Sequence, residues 1–138
     1  MIRRGGLVLG GAVLGAAVAL PAAAQVTDLD FNDSPACRIN EIALGKPARI
    51  EARSEGARLE VKVAANFGCQ TRAGKARVDE ADGEIRLYAD TILPGFPTPA
   101  CKCTRHLEYR FTPSGGARRI VFYKDGHVEG EGMLEPGR

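Results

Sequence analysis

At 138 residues, with 44% hydrophobic and 26% charged side chains, the chain has the size of one domain and the composition of a folded one, not of a disordered or collagen-like segment. Nineteen Lys and Arg against 17 Asp and Glu give a formal net charge of +2, which excludes the strongly basic balance of a nucleic-acid-binding domain. Four cysteines, an even number, set the question of compartment at once.

The amino terminus answers it. Met1-Ile-Arg-Arg4 is a basic leader, Gly5 to Leu20 is an apolar run of Leu, Val, Ala and Gly, and Pro21-Ala-Ala-Ala24 supplies small residues at Ala22 and Ala24. This is the layout of a secretory signal cleaved after Ala24, so residues 1–24 read as a signal peptide and the protein as periplasmic or secreted. The run is too short and too rich in glycine for a transmembrane anchor, and no cysteine stands at the cleavage point to carry a lipid. Arg3-Arg4 with Leu7 also matches part of a twin-arginine signal, and both export routes stay open. Cleavage removes two of the 19 cations and no acid, leaving 17 charges of each sign on about 114 residues. The whole-chain excess of positive charge is therefore no argument for nucleic acid or for an anionic membrane.

Residues 25–36 are poor in apolar side chains and read as a flexible lead-in, with a single domain following over residues 37–134. Ile39, Ile42 and Leu44 lie in a stretch too short to settle as strand or turn. Beyond Gly45-Lys-Pro47, Ala48, Ile50 and Ala52 alternate with Arg49, Glu51 and Arg53, the period of a half-buried strand. Ser54-Glu-Gly56 turns the chain into a second strand over residues 58–65, with Leu59, Val61 and Val63 inward, and the two form a hairpin. Thr71 to Gly74 reads as a loop; Ala76 and Val78 mark a weak strand, Ala81-Asp-Gly83 a turn, and Ile85, Leu87 and Ala89 the returning strand. Pro94, Pro97 and Pro99 keep residues 91–100 out of any central ladder.

The stretch from Cys101 to Phe111 is the most informative of the chain. Cys101, Cys103, Arg105, Leu107, Tyr109 and Phe111 fall on one face of a strand; Lys102, Thr104, His106, Glu108 and Arg110 fall on the other. It reads as the central strand of the fold. Ile120 and Phe122 face inward on the next strand, Asp125-Gly126 makes a tight return to Val128, and the Gly- and acid-rich tail from Glu129 reads as frayed. About seven strands and no helical period predict an all-β sandwich, with a small closed barrel as the runner-up.

In an exported chain, Cys37, Cys69, Cys101 and Cys103 predict two disulfides. An extended Cys-x-Cys sets the two Cα atoms roughly 6.5 Å apart, at the limit of bridging, so Cys101 and Cys103 take separate partners. Cys69–Cys103 with Cys37–Cys101 is the preferred pairing; the exchanged one stays open.

The segment from Leu59 to Phe122 resembles small exported bacterial immunoglobulin-like domains, in which a Cys follows one strand and a later strand reads C-x-C before alternating large apolar residues. Here those residues are Cys69, Cys101, Cys103, Leu107, Tyr109 and Phe111. The resemblance implies a single disulfide-braced immunoglobulin-like β-sandwich and transfers no catalytic residue.

Catalytic chemistry has little to draw on. His106 and His127 are the only histidines, Ser34, Ser54 and Ser114 lie in turn-forming contexts, and no nucleophile elbow, zinc-protease motif or phosphate-binding glycine loop occurs. The chain is therefore read as non-catalytic, with no cofactor. Its binding candidates are Phe96, presented by a proline-stiffened loop, and the polar face of the central strand, Lys102, His106, Glu108 and Arg110, flanked by Arg118 and Arg119. Their simplest alternatives are an aromatic folded back over the core and an ordinary solvated sheet face. The expected function is a binding or interaction module whose partner is another exported protein or a cell-envelope component. A second class is a thiol-based metal or redox protein using Cys101-x-Cys103 with His106, which requires free thiolates and a bend at Thr104.

Overall fold

The computed structural model describes residues 23–135. The signal peptide read over residues 1–24 thus lies, but for its last two residues, outside the described residues. Nine strands and no helix occupy the described part: β1 (Ala24–Gln25), β2 (Asp30–Arg38), β3 (Arg49–Glu55), β4 (Arg58–Gly68), β5 (Arg72–Ala81), β6 (Glu84–Ile92), β7 (Lys102–Phe111), β8 (Arg119–Lys124) and β9 (His127–Met133). They form a four-stranded sheet, β2-β7-β4-β3, and a five-stranded sheet, β1-β5-β6-β8-β9.

The inward positions of both sheets share one core. Val61, Val63, Phe67, Leu107, Tyr109 and Phe111 of the first sheet pack with Val78, Ile85, Leu87, Ile120 and Phe122 of the second. The period-2 pattern of the sequence is what separates these residues from their charged neighbours. Tyr109 carries its hydroxyl into this core and satisfies it by donating to the Tyr88 carbonyl at 2.8 Å. Burial pushes its phenol well above the ordinary range.

Both expected hairpins form, β3 with β4 and β5 with β6. Asp82-Gly83 and Asp125-Gly126 turn with both central residues at positive φ (54° and 72°, 50° and 80°), the geometry that suits the right-handed twist of a two-residue hairpin. The β7–β8 connection behaves differently. The chain leaves β6, crosses to the other sheet to make β7, then returns to lay β8 parallel to β6, so the sheets are joined by crossings at both ends of β7.

Three segments read as loose are strand. Of residues 71–74, read as a loop, residues 72–74 open β5 opposite residues 90–92 of β6. Residues 30–36, assigned to a flexible lead-in, form with Cys37 and Arg38 the strand β2 along one edge of β7, where Phe31 meets the Tyr109 ring edge-on at 5.0 Å. Of the tail read as frayed from Glu129, residues 129–133 belong to β9, whose glycines face inward; residues 136–138 lie outside the described residues. A Cβ on Gly130 would lie 2.6 Å from the Ala48 carbonyl oxygen, and one on Gly132 3.2 Å from Ile50. Glycine there lets the edges of the two sheets meet, and Ala48 donates its amide to the Glu129 carbonyl across the gap at 2.8 Å. On the other side, Asp33 of β2 reaches the buried Arg105 (3.4 Å) and accepts the Ala73 amide of β5 (3.0 Å). Each open side of the sandwich is latched.

All four cysteines are bonded, Cys37 to Cys103 and Cys69 to Cys101, the exchange of the preferred pairing. Register decides it. β4 pairs with β7 so that Phe67 opposes Cys103 and Gly68 opposes Lys102, which leaves Cys69 opposite Cys101; its amide donates to the Cys101 carbonyl at 3.0 Å. Cys37 opposes Arg105, one same-face step from Cys103. Closing loops of 66 and 32 residues is worth about 4 kcal/mol each in the chain-entropy picture.

Candidate functional site

The outer face of the four-stranded sheet carries the polar side of β7, and it is laid out as a charge ladder. Across the strands, Asp30, Arg110, Glu60 and Arg53 form one row, and Glu108, Lys62 and Glu51 the next. Opposite charges directly across antiparallel strands stabilise the pairing. Glu60 is buried beneath its partners, with Arg110 at 3.0 Å and Arg53 and Lys62 at 3.7 Å. Arg110 is therefore committed to a neighbour within its own sheet.

At the other end of this face, the connection of residues 39–48 folds over the sheet. The Ile42 amide donates to Thr104 Oγ1 (3.2 Å), the Thr104 hydroxyl to Asn66 Oδ1 (2.7 Å), and Asn66 Nδ2 to the Ile42 carbonyl (3.0 Å), closing a ring. Thr104 and Ala64, on the nominally solvated side, are buried as a result. Glu41 clamps the same loop, meeting His106 Nε2 at 2.9 Å and accepting from Arg49 at 2.8 Å. The hydrogen bond to His106 is the main reason its carboxyl lies below the ordinary carboxylate value.

Of the binding candidates, Phe96, His106, Arg110 and Arg119 are not brought into contact with one another. Phe96 is 58% exposed in the connection of residues 93–101, not folded onto the core. His106 stands outward with Glu41, and Arg110 with Glu60. Arg119 lies in the other sheet, paired with Glu84, because the β7–β8 connection crosses between sheets; the expected flanking of the β7 face by Arg118 and Arg119 does not occur. The metal reading loses its geometry too. Cys101 and Cys103 are each in a disulfide, His106 points to the opposite face, and no group of three or more metal-capable side chains occurs among the described residues.

Sequence reading missed two features. Tyr88 and Tyr123 stack across the β6–β8 pair at 4.9 Å, with the Arg77 guanidinium 3.8 Å over Tyr88. Only the parallel register of β6 and β8 brings these rings together, and no local pattern announces it. The second is the end of the sandwich that bears both disulfides, where the connections 39–48, 69–71, 93–101 and 125–126 all turn. Five of the six exposed large hydrophobic side chains among the described residues lie there: Ile39, Leu44, Leu93, Phe96 and Val128. Leu44 and Val128 line a groove of about 420 Å³ together with Lys46, Lys102 and Lys124. Gly95, at φ 83°, and the three prolines hold the 93–101 connection in shape without strand pairing.

Compared with protein families, with curated proteins and with solved structures, the chain finds no match.

Proposed function

We propose that the chain is an exported, non-catalytic binding module, periplasmic or secreted, built as an immunoglobulin-like sandwich that works through its disulfide-bearing end. One observation carries this reading: the concentration of exposed large apolar side chains on the connections at that end. Large apolar side chains held in water on braced loops are what a recognition surface requires, since little ordering entropy remains to be lost on binding. Two disulfides in a small domain fit an oxidising compartment. Two largely antiparallel sheets facing each other across one core support the immunoglobulin-like assignment. The partner is an exported protein or another component of the cell envelope.

The test is site-specific photo-crosslinking in cells exporting the protein, with a photoreactive residue placed at Phe96 or at Met133, which is as exposed but sits at the opposite end. A defined adduct from position 96 and none from position 133 is the expected outcome. Equal labelling from both, or none from either, removes the assignment of the surface.

A further inference from the structure

The disulfide-bearing end differs from the rest of the surface in charge as well as in polarity. Arg38, Lys46, Arg72 and Lys102 are exposed there and have no ionic partner among the described residues. The neighbouring carboxylates are engaged: Glu41 by Arg49 and His106, Asp125 by the amide and hydroxyl of Thr91, Glu129 by Lys124 at 3.7 Å. Asp90 and Asp125 are the nearby carboxylates without an ion pair, and Asp125 is held by Thr91 alone, against four unpaired cations. The charge ladder of the four-stranded sheet has no counterpart here.

The apolar side chains come from separate stretches. Ile39 and Leu44 belong to one connection, Leu93 and Phe96 to another, and Val128 to the start of β9, with Gly, Pro and Lys between them. A protein hot spot gathers its anchors into one packed centre. Single apolar tips ringed by unpaired cations instead match a surface that enters a lipid interface shallowly while its cations meet phosphate headgroups. Overall neutrality does not oppose this. Strands of about ten residues hold the opposite end roughly 30 Å away, several Debye lengths at physiological salt.

We infer that this end docks on an anionic lipid surface, with Leu93, Phe96, Ile39 and Leu44 entering the interface and Lys46 and Lys102 on the headgroups. The inference rests on the reading of this end as the binding surface and names what it binds. Co-sedimentation of the protein recovered after export tests it, using vesicles of phosphatidylcholine with or without about 30% phosphatidylglycerol. Partition into the anionic vesicles is expected, at least about tenfold stronger than into phosphatidylcholine alone and weakened at about 0.5 M salt. Lys46→Ala and Lys102→Ala each lower it about fivefold, and Leu93→Asp with Phe96→Asp lowers it by more than about tenfold. Met133→Asp leaves it unchanged, and thermal unfolding verifies that each variant folds. No partition of the native protein at millimolar lipid, or equal loss from Met133→Asp, overturns the inference. If vesicles fail while the Phe96 crosslink captures a protein, the lipid surface is wrong and the binding end stands; if both fail, both readings fall.

Discussion

Replacing Gly130 by alanine separates a packed carboxy-terminal strand from a frayed tail. The added Cβ would stand 2.6 Å from the Ala48 carbonyl oxygen and 3.0 Å from its Cβ, and the first of these is backbone that no rotamer change can move. Relief to ordinary contact requires β3 and β9 to part by roughly 0.7 Å, stretching the Ala48–Glu129 hydrogen bond from 2.8 Å towards the limit of a useful one. Overpacking of this kind costs about 1–3 kcal/mol and the weakened bond up to about 1 kcal/mol more. Loss of glycine's freedom in the unfolded chain returns roughly 0.4–1 kcal/mol. The net is about 1–3 kcal/mol, or roughly 4–12 °C in Tm for a domain of this size, read by calorimetry. Gly132→Ala, whose nearest contacts are Ile50 side-chain atoms at 3.2 Å, costs less, under about 1 kcal/mol. A Gly130→Ala protein as stable as the native one, or more so, refutes the packing argued for β9.

Thr104→Val keeps the shape of a fully buried side chain but leaves the Ile42 amide and Asn66 Oδ1 unpaired, and denaturant unfolding should show a loss of about 2–3 kcal/mol. Because the Glu41 carboxyl is depressed in the folded state, the stability it contributes is present above its ordinary value near 4.5 and disappears as pH falls through the lower folded value. Amide exchange at Ile42 should therefore accelerate, once corrected for intrinsic rate, as pH drops below about 4.5, and Glu41→Gln should abolish that dependence; a flat profile in the native protein contradicts the clamp. Cys37→Ala with Cys103→Ala should lower stability by about 4 kcal/mol, and a loss under about 1 kcal/mol would show that β2 needs no tether to β7.

Wherever burial alone organises a strand, its position can be read from the amino acids. Alternation placed β3, β4, β6 and β8, and it separated the inward Leu107, Tyr109 and Phe111 from their charged neighbours. β2 escaped because Asp30-Phe-Asn-Asp-Ser-Pro has little to bury; its neighbour β7 and the Cys37 bridge hold it, and both are distant in sequence. β9 escaped because its inward side chains are glycines, whose use is the close approach of Ala48. Cysteine pairing turned on the β4–β7 register, and a hydrophobic period cannot supply that. The misplaced flank of Arg118 and Arg119 has a similar origin, since a hairpin and a crossing between sheets read alike across Pro113-Ser-Gly-Gly116. Loop 39–48 shows the limit most clearly: Thr104 and Ala64 sit on a polar-patterned face and are buried only because Ile42 docks upon them. Of the candidate site, the exposure of Phe96 in its proline-stiffened loop was foreseen as one of two outcomes. Its company of Ile39, Leu44, Leu93 and Val128 depends on which strand ends the topology gathers.

Every functional statement here depends on the crossing that gathers those connections at one end, and the cysteine bridges report it. Trypsin cuts after Lys102, between Cys101 and Cys103, and so makes the two possible pairings distinguishable by mass under non-reducing conditions. The fold predicts the fragment ending at Arg38 joined to Cys103-Thr-Arg105, and the fragment carrying Cys69 joined to the one ending at Lys102. Cys69 found with Cys103, or free thiols at any of the four positions, would contradict the register and the binding end built on it.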